Sequence, residues 1–395
     1  MANLYTRYGI CSMKTKKFRR FLLPVGILLA VLVLAYCLFI FAPTPGLQQL
    51  RSSYIQTAMS TLRHRWLATG LIPRPIIDQV MEDLAQAQQN QQNVQSSWGD
   101  STDPAVQIRG QEDFFALFPQ LPREQVLAFT AEHPQVLEHG WDKFYVNQSG
   151  LKEDGLPLYT TAGDQVLAID AQYGILVLRV KAPLCQGVLA ICADPSRLLL
   201  APAQEGLDYI GTIAESAGGV LAITASGFVD STNSLAGYAM YSGQLQGDFH
   251  APWHKRLELR TDNRLYITDA LDGFHPDCTD AMEFTPALIA DGISLITDDA
   301  DFSAIHPRVC LGQDETGRLL LLALQGRTLD SIGATAADCV EILQRYRCRQ
   351  AMNLDGGNSA MLWYRGAYLL EGARSDYPQG RQTINAWVYC AEPVS

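Results

Sequence analysis

The sequence predicts an α+β fold: a large mixed β-sheet domain with few helices, preceded by a transmembrane helix and a helical stalk. Three observations predict it. Phe21 to Ala42 is an uncharged run of 22 residues directly behind a basic cluster. Residues 47–95 carry apolar side chains at helical spacing and end in a Gln/Asn-rich run. Beyond about Thr160, short apolar and β-branched runs alternate with Gly- and Asp-containing turns, and only two helical patterns interrupt them.

Composition narrows the class. The 395 residues are 48% hydrophobic and 18% charged, with a formal net charge of -11. A disordered chain would be less apolar and more charged, and no Gly-X-Y or sustained heptad period is present. An acidic sum argues against a nucleic-acid partner, because phosphate neutralisation needs surplus Lys and Arg. The charge is uneven. Residues 1–42 hold Arg7, Lys14, Lys16, Lys17, Arg19 and Arg20 and no acid, which leaves 24 basic against 41 acidic residues in the rest, a net of -17.

The elements follow in order. Residues 1–20 read as a cytoplasmic basic tail and 21–42 as a transmembrane anchor. At ~1.5 Å per residue the anchor spans about 33 Å, enough for a bilayer core. Pro24 falls in its first turn, where proline costs little. A cleaved signal peptide would have a shorter apolar run and a small-x-small exit, whereas this run leaves through Phe41-Ala42-Pro43. The positive-inside rule then predicts a single-pass cell-membrane protein with residues 43–395 outside.

Residues 43–97 read as a helical stalk and Gln-rich linker, with packing of these helices on the globular domain as the alternative. Ile55, Met59, Leu62, Trp66 and Leu67 share one helical face, Pro73 and Pro75 break it, and a second helix runs from Pro75 to about Gln92. Residues 98–159 form an α-rich connecting region punctuated by Pro119, Pro122 and Pro134. Residues 160–395 form the sheet domain. Strands are expected at 175–180, 188–193, 197–203, 219–227, 264–270, 287–295, 308–326 and 384–390, with hairpin turns at Asp291-Gly292 and Glu315-Thr316-Gly317. Helices are expected over Asp208–Ala217 and Thr335–Arg347. Cys11 and Cys37 belong to the anchor region, and the exported part holds seven cysteines without CxxC spacing. Cys185/Cys192 and Cys339/Cys348 are nearest in sequence, and either disulfides or buried thiols fit them.

The most informative segment is Asn353-Leu354-Asp355-Gly356-Gly357-Asn358-Ser359. Paired glycines free the backbone to present amide groups to an anion, and Asp355 adds a carboxylate beside them. An ordinary Asp-Gly turn is the plainer reading. Gly357-Asn358-Ser359-Ala360-Met361 misses the G-x-S-x-G elbow, since Met361 stands where the last glycine belongs.

With these residues in view, the chain resembles the phosphodiester glycosidase family. Asn353-Leu354-Asp355-Gly356-Gly357 matches its Asn-Leu-Asp-Gly-Gly motif, and His306-Pro307-Arg308-Val309-Cys310-Leu311-Gly312 matches its Pro-Arg-Thr-x-Ile-Gly strand. Gln325-Gly326-Arg327 matches an Asp-Gly-Arg turn, and Pro286 to Gly292 matches a Pro-x-Leu-x-x-Asp-Gly hairpin. Arg381 to Asn385 matches the closing Arg-x-x-x-Asn segment, and Ser226 to Asp230 resembles an Asn-Gly-Gly-Phe-Phe segment. The N-terminal helix from Thr57 is similar to the pre-domain helix of anchored members. Departures fall at Ala225, Val309, Gln325, Asn358 and Ala360.

The resemblance implies cleavage of a sugar-1-phosphodiester, releasing the sugar and leaving a phosphomonoester; no metal or cofactor is expected, because the histidines show no metal-binding pattern such as HExxH. It implies Asp355 as the carboxyl at the anomeric centre, with Asp230 as the alternative partner carboxylate. Arg308 is the first candidate for the phosphate, and Arg327 and Arg381 are second. The amides of Gly356 and Gly357 would hold an oxyanion, while Asn353, Ser359 and Asn385 would orient the sugar. Trp363, Tyr364 and Trp387 read as core or stacking surfaces, and His306 as a turn residue or proton donor. Asp298, Asp299 and Asp301 read as a solvated loop or a cation-collecting stretch. The expected function is hydrolysis of sugar-1-phosphodiester bonds in cell-envelope or exopolysaccharide glycans. A non-catalytic glycan-binding or structural envelope protein is the alternative.

Overall fold

In the computed structural model the described residues are 24–61, 64–98, 108–148, 150–250, 253–297 and 300–394. The basic tail and the first three residues of the expected anchor lie outside them. Helix α1, Pro24–Phe41, has 18 apolar residues and passes as a membrane span by length and composition. Its Leu28, Leu29 and Leu34 are exposed, so no protein surface covers it there.

Three helices follow: α2 (Pro45–Met59), α3 (Arg65–Thr69) and α4 (Arg74–Gln91). The single helix expected from Ile55 to Leu67 is interrupted after Met59. Ser60 and Thr61 turn their hydroxyls back onto Thr57 O (2.9 Å) and Ala58 O (3.1 Å), a local bond that competes with helix propagation. Ile40, Ile55, Ala58, Ala68, Ile72, Ile77 and Val80 form a small core among these helices.

The expected stalk is not a free spacer here, because it lies along the sheet domain. Gln56 Nε2 donates to Ala300 O (2.8 Å), and the Ile305 amide donates to Thr57 Oγ1 (2.9 Å). The Gln91 amide group pairs both ways with the Ala287 backbone, at 3.0 and 3.2 Å. Lys255 Nζ donates to Gln92 O and Val94 O beyond the helix. The polar residues that read as a solvated linker are the ones that bond to the domain.

Helices α5 (Gln111–Leu117) and α6 (Arg123–Glu132) occupy the connecting region and bury Phe114, Phe118 and Phe129. The strands then begin: β1 (Tyr145–Asn147), β2 (Gln165–Asp170), β3 (Ile175–Ala182), β4 (Cys185–Cys192) and β5 (Leu198–Pro202). Helix α7 (Ile210–Ser216) leads into β6 (Gly219–Thr224). Next come β7 (Phe228–Val229), β8 (Ser234–Leu235), β9 (Ala239–Tyr241), β10 (Gln244–Gln246), β11 (Lys255–Arg260), β12 (Leu265–Asp269) and β13 (Cys278–Phe284). The hairpin β14 (Ala287–Ala290) and β15 (Ile293–Ser294) turns at Asp291-Gly292, and β16 (Arg308–Asp314) and β17 (Leu319–Leu324) turn at Glu315–Gly317. Helix α8 (Ala336–Arg345), β18 (Cys348–Asn353), β19 (Leu362–Tyr364), β20 (Ala367–Tyr368) and β21 (Asn385–Cys390) complete the chain.

A nine-stranded sheet has the order β1-β2-β3-β4-β17-β16-β18-β14-β15. One five-stranded sheet runs β20-β19-β6-β21-β5, and another runs β10-β9-β13-β11-β12. The ladders of the described residues are antiparallel throughout. This is the expected α+β class with its large sheet. Faces of these three sheets meet in one core, which includes Val177, Leu221, Ile223, Leu257, Leu311 and Trp387, and β7 and β8 pair as a separate two-stranded sheet. Helix α8 covers the other face of the large sheet and is opened by a capping box between Thr335 and Asp338.

Eight described cysteines are free, and all but Cys37 are buried. The Cys185/Cys192 and Cys339/Cys348 pairs are therefore not disulfides. Cys339 instead lies against Cys310, and burial pushes the Cys185 and Cys278 thiols up to about 12. Thiol labelling of the native protein is expected to reach none of these seven buried sulfurs, and labelling after denaturation is expected to reach all seven without prior reduction.

Candidate active site

The loop after β18 ties two sheets together. The Leu354 amide donates to Val309 O (2.8 Å) and the Gly357 amide to Pro307 O (2.9 Å), both at the start of β16. The Asp355 amide donates to Ala225 O (2.9 Å), just past β6 in the other sheet. Both glycines are required by this path. A Cβ on Gly356 would lie 2.5 Å from Pro307 O, and Gly357 has φ +61°.

The path turns the Asp355 side chain into a shielded position. The residue is half-buried, but its Oδ2 is shielded from water and has no hydrogen-bond partner among the described residues. Burial is the main cause that pushes its carboxyl up to about 6. A hydrogen bond from Ser359 and the charge of Arg381 oppose that shift, and Asp230 adds to it. Asp355, Ser359, Arg381 and Asp230 thus share one electrostatic neighbourhood.

Two guanidinium groups flank the loop. Arg381 Nη1 bonds Asp230 Oδ1 at 2.8 Å, and its guanidinium carbon stands 4.2 Å from the centre of the Phe228 ring. Its Nε is buried and unpartnered. Arg327 Nη1 donates to Asn358 Oδ1 (2.6 Å), while the Arg381 amide donates to Asn358 O (3.0 Å). Asn358 therefore links both arginines to the loop. The sequence marks Asn358 only as a departure from a third glycine, and nothing in its spacing signals this role. Arg327 holds a left-handed backbone, φ +61°. Its cation is held below the usual range by surrounding protein and by Arg374, and among the described residues no carboxylate pairs with it.

Other expected site residues stand behind the loop. Arg308 is buried, and its donors are taken up by Ala334 O (3.1 Å), Ala304 O (2.6 Å) and Asn353 Oδ1 (3.4 Å). Asn353 Nδ2 donates to Thr285 O (2.9 Å) and Leu354 O (3.2 Å). Asn385 accepts from the Ser226 amide (2.8 Å) and donates to Ser226 Oγ (2.9 Å) and Tyr241 Oη (2.8 Å). These three side chains brace the walls of the site from inside. Ser359 is buried with its carbonyl accepting from the Thr224 hydroxyl. The Gly357 amide is occupied by Pro307 O and not open to an anion, whereas the Gly356 amide keeps no intramolecular acceptor among the described residues.

Trp363, Tyr364 and Trp387 are buried core residues rather than stacking surfaces. His306 lies at the edge of the site with its imidazole 2.9 Å from Ser60 Oγ. Burial and the charges of Arg308 and Arg327 push its pKa down to about 3, so it is neutral at physiological pH and holds no acidic proton to give. Asp298 and Asp299 lie outside the described residues.

A site of this kind has a carboxyl of raised pKa, two cations and a free amide around one loop. Known proteins share parts of the chain. A segment of 74 residues is 36% identical to the SPbeta prophage-derived uncharacterized protein YomE of Bacillus subtilis (strain 168), covering 19% of this chain and 12% of that protein's length. The zebrafish N-acetylglucosamine-1-phosphodiester alpha-N-acetylglucosaminidase catalytic domain, auto-inhibited by its pro-peptide, aligns with a TM-score of 0.47 and 18% identity. That alignment covers 65% of this chain and 93% of that one. A hypothetical protein from Synechocystis aligns with a TM-score of 0.39 and 15% identity, over 54% of this chain and 61% of that one. The family model for phosphodiester glycosidase matches residues 217–389, a span that holds Asp230, Arg308, Arg327, Asp355, Arg381 and Asn385. Over residues 217–389, therefore, this chain is similar to the phosphodiester glycosidase family.

Proposed function

We propose that this protein is a membrane-anchored extracellular hydrolase that cleaves sugar-1-phosphodiester bonds in cell-envelope or exopolysaccharide glycans. Helix α1 is the anchor, residues 43–97 and 98–159 carry the chain to the domain, and residues 160–395 form the catalytic unit. One observation carries the catalytic part: the unpartnered Oδ2 of Asp355, with its carboxyl raised to about 6, beside Arg327 and Arg381.

The chemistry fits that arrangement. Breaking the anomeric C–O bond develops positive charge on the sugar and sends a phosphomonoester away as an anion. Such a leaving group needs little protonation, so a carboxylate at the anomeric centre and cations at the phosphate contribute most. Ionised Asp355 would stabilise the sugar cation or take the proton from water. Arg327 and Arg381 would neutralise the phosphate, with the Gly356 amide as a further donor. Arg308, Asn353 and Asn385 would hold the loops in place, and Asp230 would orient Arg381.

Full-length protein in detergent is expected to hydrolyse an N-acetylglucosamine-1-phosphodiester. Its rate should rise with pH through about 6 as Asp355 ionises. The His306→Ala variant should keep that limb, since His306 is already neutral there. Absence of turnover on a panel of glycosyl phosphodiesters would sink the proposal. A second reading, a non-catalytic glycan-binding or structural module, draws on the internal bonding of Arg308, Asn353 and Asn385. Saturable glycan binding that persists without turnover and survives Asp355→Asn would favour it.

A further inference from the structure

The chain's basic residues gather next to α1 on its domain side as well as before it. Residues 1–77 hold ten Lys or Arg and no Asp or Glu, whereas residues 78–395 hold 20 basic against 41 acidic residues. Four of the ten, Arg51, Arg63, Arg65 and Arg74, follow the apolar helix. Arg65 and Arg74 are exposed, and among the described residues no carboxylate pairs with either. Between them stand two large apolar side chains turned to the outside, Trp66 at 63% exposure and Leu71 at 50%. Among the described residues no element covers them, in a region where Ala68, Ile72 and Ile77 are packed inside.

The same segment is tied to α1. Tyr36 Oη donates to Leu71 O at 2.6 Å, and Arg51 Nη1 bonds Phe39 O and Ile40 O. Tyr36 precedes the end of α1 by five residues, about 7 Å along a helix axis. With α1 across a bilayer, the Gly70–Ile72 turn is therefore held at the depth where the apolar core gives way to headgroups. Tryptophan, tyrosine and arginine are the side chains that suit that layer: rings at the boundary, and guanidiniums reaching to phosphate.

We propose that α3 and the turn after it form a membrane foot. In it Trp66 and Leu71 insert at the interface, and Arg65 and Arg74 bind anionic lipid headgroups on the domain's side of the bilayer. The inference rests on the reading of α1 as an anchor. The foot fixes the tilt of the domain on the membrane, which a single spanning helix cannot do. Ser60, five residues before Arg65, carries that constraint to His306 at the edge of the site.

The test uses the full chain in vesicles of phosphatidylcholine with phosphatidylglycerol, some of it brominated on the acyl chains. Bromolipid is expected to quench part of the tryptophan emission of the wild type, and Trp66→Phe is expected to lose that part. In vesicles of phosphatidylcholine alone, or for an Arg65→Gln/Arg74→Gln variant, the quenched fraction is expected to fall. Both proteins should stay with the vesicles after alkaline carbonate washing. Equal quenching in wild type and Trp66→Phe, with both retained, would overturn the foot while leaving the anchor. Quenching that ignores the anionic lipid would overturn the headgroup assignment. Release of the wild type by carbonate would overturn the anchor, and the foot with it. Self-association of the chain in detergent that is lost in Trp66→Phe would assign the patch to a second copy and also overturn the foot.

Discussion

Replacing Asp355 by asparagine is expected to lower turnover by about 10²- to 10⁴-fold, the usual worth of a positioned proton-transfer group, and to stabilise the protein above pH 6. The two effects have one cause. Burial raises the Asp355 carboxyl from 3.8 to about 6 in the folded chain. The folded state therefore holds this proton more tightly than the unfolded state. Stability contributed by the protonated form is present at low pH and is lost as pH rises through the interval from about 4 to about 6. Two pKa steps correspond to at most about 3 kcal/mol, and exchange with solvent around the loop will reduce it. Asparagine has the same shape and no charge to bury, so its variant escapes the loss. Thermal unfolding at pH 8 should show Asp355→Asn melting a few degrees above wild type, and at pH 4 the two should coincide. Equal melting at both pH values would mean that Asp355 is solvated, and equal turnover would remove it from the chemistry.

Sequence periodicity carries the apolar half of this fold and misses the charged half. The runs at 175–180, 188–193, 219–227 and 384–390 show themselves because both faces of these strands are apolar and buried, as in β3, β4, β6 and β21. Strand β11 reads Lys-Arg-Leu-Glu-Leu-Arg and resembles a solvated surface segment. In the structure Arg256, Glu258 and Glu283 are buried together, with Arg256 Nη1 3.4 Å from Glu258 and its guanidinium carbon 3.7 Å from the centre of the Phe274 ring. The partners lie on β11 and β13, so no local pattern announces them. The site shows the same division. The glycines and Asp355 are legible because their chemistry is local to one loop. The use of Asn385 on Ser226 and Tyr241, and of Asn358 between Arg327 and Arg381, depends on residues more than twenty positions away. The sequence leaves both a free stalk and a docked one open over residues 43–97 for a related reason: glutamine and threonine that bond to a surface look the same in sequence as those that bond to water.

Arg308 and Arg327 resemble each other in the sequence, and their alanine variants are expected to fail in opposite ways. Arg308 is buried at the start of β16 and bonded to two main-chain carbonyls and Asn353. Truncation would take the Arg308 donor from Ala304 O and Asn353 Oδ1, leave Ala334 O only the His306 amide, and open a hole beneath the Asp355 loop. A loss of about 3 kcal/mol is expected, and Lys would restore little because it cannot reach three acceptors in a plane. Arg327 is exposed at the tip of the turn after β17, where its guanidinium donates to Asn358 Oδ1. Alanine keeps the same left-handed backbone and loses one surface bond, so stability should change by less than about 1 kcal/mol. Its guanidinium is the cation without a carboxylate partner next to Gly357, so its loss should cost about 10²-fold in kcat/KM for a phosphodiester. Arg308→Ala should lose activity in step with its folded fraction, whereas Arg327→Ala should stay folded and bind the phosphate poorly. If denaturant unfolding instead showed Arg308→Ala as stable as wild type but inactive, Arg308 would belong to the substrate and not to the scaffold. The geometry of its three acceptors argues against that outcome, since a guanidinium engaged through Nε, Nη1 and Nη2 keeps only two of its five N–H groups for a phosphate.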